Sequence, residues 1–323
     1  MSKIKNKIKV LVSGGAGYIG GAVTDILTER RIPFTVYDNL VYEDRYLKNV
    51  DFIFGDVRDT KKLKKILPNY THVIWLAAIV GDAACTIRPT LTREVNRDAV
   101  EWLAKNFKGR IVFASTCSVY GEMIEKVDGT SVVSPLSLYA QTKLEAEKFL
   151  KDKNAIIFRL GTVFGVSDVF SRIRMDLAVN FMTAKAIQEG VLTIFGGEQW
   201  RPFSHVYNAA EAMVNSLDKP LSGIYNFATF NYKIRDLGKE IAKLTNCKVK
   251  YADKKFQDQR TYHVSTEKAK RDGLLRFRRI LPIAYGVRQV VDLVSSGRVK
   301  YSDADVYFNE RHIINLNNSD RVK

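Results

Sequence analysis

Two rhythms of apolar and polar residues alternate along the first half of the chain. Short, almost unbroken apolar runs occur at IKVLVS (8–13), FTVYD (34–38), DFIFGD (51–56), HVIWLAA (72–78), RIVFAS (110–115) and AIIFRL (155–160). Between them lie stretches whose apolar residues recur every three or four positions: about 18–30, TKKLKKIL (60–67), 91–107 and 137–151. A strand that is apolar at nearly every position needs cover on both faces, so the pattern predicts a parallel sheet with helices on either side. The expected fold class is α/β, a Rossmann-type doubly wound parallel sheet with a smaller mixed α/β C-terminal lobe.

Past residue 160 the rhythm loosens. Helical patterns recur near 206–217, 234–245 and 283–295, short strands such as GIYNFA intervene, and FGGEQWRPF (195–203) is Gly-rich. The predicted division is a sheet domain of residues 1–165 with segments near 190–230, a discontinuous second lobe over 166–300, and a polar tail, 301–323, with no structure assigned. No apolar run approaches the ~20 residues needed to cross a bilayer. The basic start MSKIKNKIKVLVSGG breaks directly into glycines and reads as a first strand, not a signal peptide.

Cysteine and charge narrow the setting. Three scattered cysteines, Cys85, Cys117 and Cys247, make no disulfide framework, and no Cys/His pair stands at metal spacing. A reducing cytoplasm is expected, and no metal. The formal net charge of +16 is spread over pieces such as KKLKK (61–65) and RDGLLRFRR (271–279), without a nucleic-acid motif or interleaved aromatics. It reads as a solvated lysine-rich surface, with an anionic small substrate as the functional alternative; neither nucleic acid nor membrane is expected as a partner.

VLVSGGAGYIGGAV places Gly14, Gly17 and Gly20 between the first strand and the first helix. Glycine permits a tight turn and close backbone approach, so that helix N–H groups can face a pyrophosphate. Tyr18 and Ile19, inside that spacing, belong to the same candidate site. The second strand then ends at Asp38, followed by Asn39. A carboxylate there accepts bonds from the adenosine ribose hydroxyls and repels a 2′-phosphate, which selects NAD over NADP. Asp56 and Val57 at the next strand end would meet the adenine, and Ala77 and Ala78 are small enough to admit a cofactor.

SLYAQTKLEAE carries Tyr139 and Lys143 at i, i+4 on a predicted helix, hence on one face. A neighbouring ammonium and an oxidised nicotinamide favour the phenolate, which can take a proton from a sugar hydroxyl as hydride leaves its carbon. FASTCSVYG adds Ser115, Thr116, Cys117 and Ser118. Each could be a nucleophile, a hydrogen-bond donor or a plain loop residue, and no nearby histidine activates the thiol.

Together, GxxGxxG (14–20), Asp38, STCSVYG, YxxxK and FGGEQWRPFSHV resemble the extended short-chain dehydrogenase/reductase family over nearly the whole chain to about residue 295. Within it the chain is similar to NAD-dependent nucleotide-sugar epimerases and dehydratases of the UDP-glucose 4-epimerase kind. The resemblance implies NAD as cofactor and a nucleoside-diphosphate sugar as substrate. It assigns Thr116, three residues before Val119, to the reacting sugar oxygen, beside Tyr139 and Lys143, with Ser115 a structural neighbour. Dehydratases of the family carry Asp-Glu where this chain has Cys117 and Ser118, which disfavours simple dehydration.

The same resemblance gives Arg201 and Arg260 as clamps on the substrate diphosphate, and Thr162, Arg174 and Asn180 as substrate contacts. Asn208 stands where the family's motif has Asp. LAAIVGDAAC and RLGTVFG…RIRMDLAVN also resemble a branch containing sugar-nucleotide 4-dehydrogenases, including ones acting on GDP-heptoses. The implied activity is 4-epimerisation through a transient 4-keto sugar, with a 4-dehydrogenase or 4-ketoreductase on the same site as the alternative. A non-catalytic NAD-binding regulator is the alternative of another class; the intact Thr116, Tyr139 and Lys143 set weighs against it. A homodimer is a family expectation.

Overall fold

The computed structural model describes residues 8–43, 45–252 and 260–318. Its centre is a seven-stranded sheet: β1 (Val10–Ser13), β2 (Phe34–Asp38), β3 (Phe52–Phe54), β4 (His72–Trp75), β5 (Arg110–Thr116), β6 (Ala155–Leu160) and β7 (Gly223–Phe227). The order is β7-β6-β5-β4-β1-β2-β3, and every pairing is parallel. The segment GIYNFA thus forms the sheet's edge, beside β6.

Side-chain alternation along each strand explains the cover on both faces. Val10, Val12, Ile74, Val112 and Phe158 point into one core with the helices Tyr18–Glu29 and Val206–Asn215. Leu11, Val73, Trp75, Ile111 and Ile157 point into the other, against the helices Ala99–Asn106 and Leu138–Leu150. Full burial of each such side chain contributes roughly 1.5–3 kcal/mol. Strand order reverses between β1 and β4, and there the connections out of their C-terminal ends diverge and open a cleft.

A second core joins the helices Ala178–Glu189, Ile234–Thr245 and Ile283–Ser295 to a small sheet of Thr162–Phe164, Trp200–His205 and Phe230–Lys233. Two parallel two-stranded ladders complete this side: Val191–Phe195 with Lys248–Ala252, and Glu122–Val127 with Thr261–Val264. Among the described residues no helix is long and apolar enough to cross a membrane, and no cluster of three or more potential metal ligands occurs.

Three segments differ from the sequence pattern. The helix expected over 91–107 is divided into Pro89–Arg93, a π-helical turn Glu94–Asp98 and Ala99–Asn106. The turn delivers Asn96 inward, where its amide bonds both Ile79 N and Ile79 O at 2.9 Å. Residues 178–189, to which the pattern assigned no helix, form one that ends on Gly190 at φ +66°, a left-handed cap glycine adopts without strain.

The third correction concerns residues 301–323, expected as a tail without structure. A turn, Asp305–Tyr307, and a helix, Asn309–Asn318, pack onto the body, with Ile313 2% exposed in the sheet-face core of Leu11, Val73 and Trp75. One buried isoleucine among polar residues gives too weak a period to be read locally; the contact that orders it comes from distant chain. Residues 1–7, part of the expected basic lead-in, and 319–323 lie outside the described residues.

Candidate active site

A cleft of about 470 Å³ opens at the sheet's switch point, a size in the range of small-molecule sites. Its first wall is the β1–helix turn. Gly14 sits at φ +77°, and a Cβ there would lie 2.5 Å from Ala77 N; a Cβ on Gly20 would lie 2.5 Å from Gly14 O. Only glycine fits either position. The helix Tyr18–Glu29 starts at Gly17 with no side-chain cap and no acidic residue in its first turn. Its open N–H groups therefore suit a phosphate.

Tyr18, Ile19, Asp38, Asn39, Asp56, Val57, Ala77 and Ala78 all line the same cleft. Asp38 accepts from Ala16 N at 3.1 Å and Leu40 N at 2.8 Å, which fixes its carboxylate at the strand end. Burial raises its affinity for a proton, against the backbone bonds that lower it. Burial opposes ionisation of Asp56 too, but the Arg58 guanidinium, 2.9 Å away, holds it below the ordinary range. Asn39 Nδ2 donates to Asp56 at 3.0 Å, joining the ends of β2 and β3. A glycine turn, an uncapped helix start and an anchored carboxylate at the end of β2 together fit a dinucleotide, from diphosphate to adenosine ribose.

The opposite wall carries the candidate chemistry. Ser137 caps the helix Leu138–Leu150 by accepting from Ala140 N, and this sets Tyr139 in the first turn and Lys143 one turn on. Both line the cleft with Thr116. Lys143 Nζ donates to Ala114 O at 2.8 Å and lies 4.7 Å from the Phe113 ring centroid. Burial pulls its pKa down to about 8. Burial pushes the Tyr139 phenol above its usual range, Cys85 and Asp82 add to this, and Arg174 opposes it.

The four residues of STCS have separate fates. Thr116 Oγ1 accepts from Ser118 N at 3.1 Å, which leaves its O–H to donate into the cleft. Ser115 donates to Glu147 at 2.5 Å, and Glu147 in turn holds Arg159 at 2.7 Å, an ion pair with both side chains under 5% exposed. Cys117 is fully buried, donates to Arg159 O, and burial pushes its thiol far up, so it is no nucleophile. Ser118 lines the cleft and meets the buried Tyr262 hydroxyl at 3.3 Å.

The expected substrate residues divide. Thr162, Arg174 and Arg260 line the cleft. Arg174 makes a two-point bond to Asp176 at 2.8 and 2.9 Å, and Arg260 pairs with Asp82 at 2.6 Å. Asn180 and Arg201, both expected to contact substrate, do not line it. Asn180 is 1% exposed and spends its amide on Gly165 N, Gly165 O and Arg174 O, so it shapes the wall from behind. Arg201 bonds the carbonyls of Trp200 and Arg260 and lies over the Tyr262 ring, positioning Arg260 instead. Asn208 likewise holds Arg279 O and Leu281 N, away from the cleft.

Sequence reasoning missed Arg172, Asp82 and Asn309 and left Ser118 without a site role; all four line the cleft. One oxygen of Asp82 meets no donor among the described residues. Only RIRMDL, an unusually basic run, carried any local signal of this group.

The model of the NAD dependent epimerase/dehydratase family matches residues 10–228. The chain belongs to this family, and is accordingly an NAD-dependent enzyme of the short-chain dehydrogenase type that acts in nucleotide-sugar chemistry. It is 29% identical over 237 residues to the uncharacterized UDP-glucose epimerase YtcB of Bacillus subtilis, covering 66% of this chain and 73% of the relative. It is 26% identical over 274 residues to UDP-N-acetyl-alpha-D-glucosaminuronate decarboxylase of Bacillus cytotoxicus, covering 78% and 84%. The UDP-glucose 4-epimerase of Thermus thermophilus, solved in complex with NAD, superposes with a TM-score of 0.72 at 27% identity, covering 89% of this chain and 100% of that one.

Proposed function

We propose that the protein is a nucleotide-sugar 4-epimerase. The observation that carries this is the composition of one wall: Thr116, Tyr139 and Lys143 line the cleft, and the two positions after Thr116 hold a buried thiol and a serine, not carboxylates. Such a set moves a proton on and off one sugar hydroxyl and has no obvious acid–base pair for expelling water.

Gly14, Gly17, Gly20 and Asp38 would hold the dinucleotide. NAD supplies the hydride acceptor for the sugar carbon and brings a positive charge into the cleft. The residues do the rest. Thr116 donates to the C4 oxygen and orients it. Tyr139, made a reluctant acid by burial, requires nearby positive charge to act as a base; Lys143 contributes when protonated. The phenolate would take the C4 hydroxyl proton as hydride leaves C4 for the bound dinucleotide, giving a 4-keto sugar; once the sugar has presented its other face, hydride would return to C4 and the phenol would give its proton back to the oxygen. Arg174 and Arg260, set by Asp176 and Asp82, would bind the nucleoside diphosphate.

Holoenzyme mixed with UDP-, GDP-, CDP- and dTDP-sugars should yield inverted sugar with little net NADH. Accumulation of NADH with a keto sugar would instead make it a 4-dehydrogenase on the same site. A homodimer is proposed alongside, checked by light scattering on the eluting protein.

A further inference from the structure

The segment 305–315 lies beyond the stretch matched by the family model, yet it is built into the cofactor cleft. Asn309 Nδ2 donates to Val80 O at 3.0 Å, in the loop after β4, and Asn309 N donates to Asp176 Oδ2 at 3.0 Å. His312 Nε2 lies 2.8 Å from Val41 O, in the loop after β2. Ile313 anchors the helix in the core below. Three chain segments that frame the cleft are therefore bonded to one short helix.

Arg172 stands among them and lines the cleft. Its guanidinium donates to Val306 O at 3.0 Å and to Asn309 Oδ1, and its carbon lies 4.8 Å from the Tyr42 ring centroid. These three partners are neutral, and two of them come from the segment 305–315. A planar cation whose guanidinium is fixed by neutral groups, with the Glu43 and Asp176 carboxylates acting on it through space, suits the paired oxygens of a diphosphate. Its stacking on Tyr42, four residues past Asp38, places it toward the cofactor side of the cleft.

We propose that residues 305–315 complete the cofactor site. They close the cleft across its walls and hold Arg172 for the diphosphate of NAD, so that the dinucleotide stays bound from one turnover to the next. This rests on NAD as the cofactor and is independent of the 4-epimerase proposal, although retention suits a reaction with no net redox change.

The test measures NAD release from purified holoenzyme by ultraviolet absorbance after gel filtration, and by an added dehydrogenase that traps free NAD. Asn309→Ala and Arg172→Met should each speed release about tenfold, and truncation after Lys300 about a hundredfold. Should the truncated chain fail to fold, the two point variants decide. Wild-type release rates in both would overturn the proposal. So would unchanged release with a raised KM for the nucleotide sugar, since Arg172 would then serve the substrate's diphosphate. Failure of the 4-epimerase proposal would show separately, as absent sugar inversion in a protein that still retains NAD.

Discussion

The two sides of the cleft are built on different principles. The foundation of the cofactor side is one continuous piece of chain, β1 through the helix Tyr18–Glu29, with the strand end at Asp38, and much of its specificity lies in backbone. The substrate side gathers Thr162, Arg174, Arg260 and Asp82 from three regions of sequence, and it works through side chains held by other side chains. Backbone sites tolerate one residue type or none; side-chain sites can be retuned. That difference accounts for a family whose members keep one cofactor while their reactions diverge.

Tyr139→Phe should separate the two sides most sharply. Turnover should fall by about 10²–10⁴-fold, while NAD content measured on the purified protein stays at the wild-type level. Loss of NAD would mean that the phenol also holds the cofactor side together.

Glu147→Ala tests the floor beneath both sides. It leaves the Arg159 guanidinium buried against Tyr120 with its carboxylate gone, which should cost about 3–5 kcal/mol in urea unfolding. A change near zero would show that water reaches Arg159.

The third effect is one of pH. The Lys143 pKa, about 8 in the folded protein against 10.5 in the open chain, means the unfolded state carries the extra proton between those values. Stability of the NAD-free protein should therefore rise with pH across that window. Lys143→Met should remove the rise in thermal melts while abolishing turnover. A flat wild-type profile would mean that the ammonium is better solvated than its burial implies.

Arg174→Ala should have the smallest effect, a rise of about tenfold in KM for the nucleotide sugar with NAD retention unchanged. Faster NAD release in this variant would move Arg174 to the cofactor side.

The legibility of the chain follows the same divide. The strands and the helices 18–29 and 138–150 are periodic over enough residues to be read locally, and YxxxK needs only the geometry of one helix. Asn180 and Arg201 carry the right chemistry in the right segments, but whether such a side chain faces the cleft or supports its wall depends on neighbours that no local pattern records. The π-helical turn at Glu94–Asp98 escaped because its cause, the bonds of Asn96 to Ile79, lies seventeen residues away in sequence.

By itself, then, the sequence determined the doubly wound sheet, the glycine turn, the acid at the end of β2 and the Tyr139–Lys143 pair. Each is encoded in a short run where periodicity, backbone freedom or helical spacing acts over one element. Tertiary structure alone decided that Arg172, Asp82 and Asn309 share a cleft, and that the polar run after residue 300 closes onto it. Those placements depend on side chains of distant segments finding one another, and the free energy that selects them appears only when the whole core has formed.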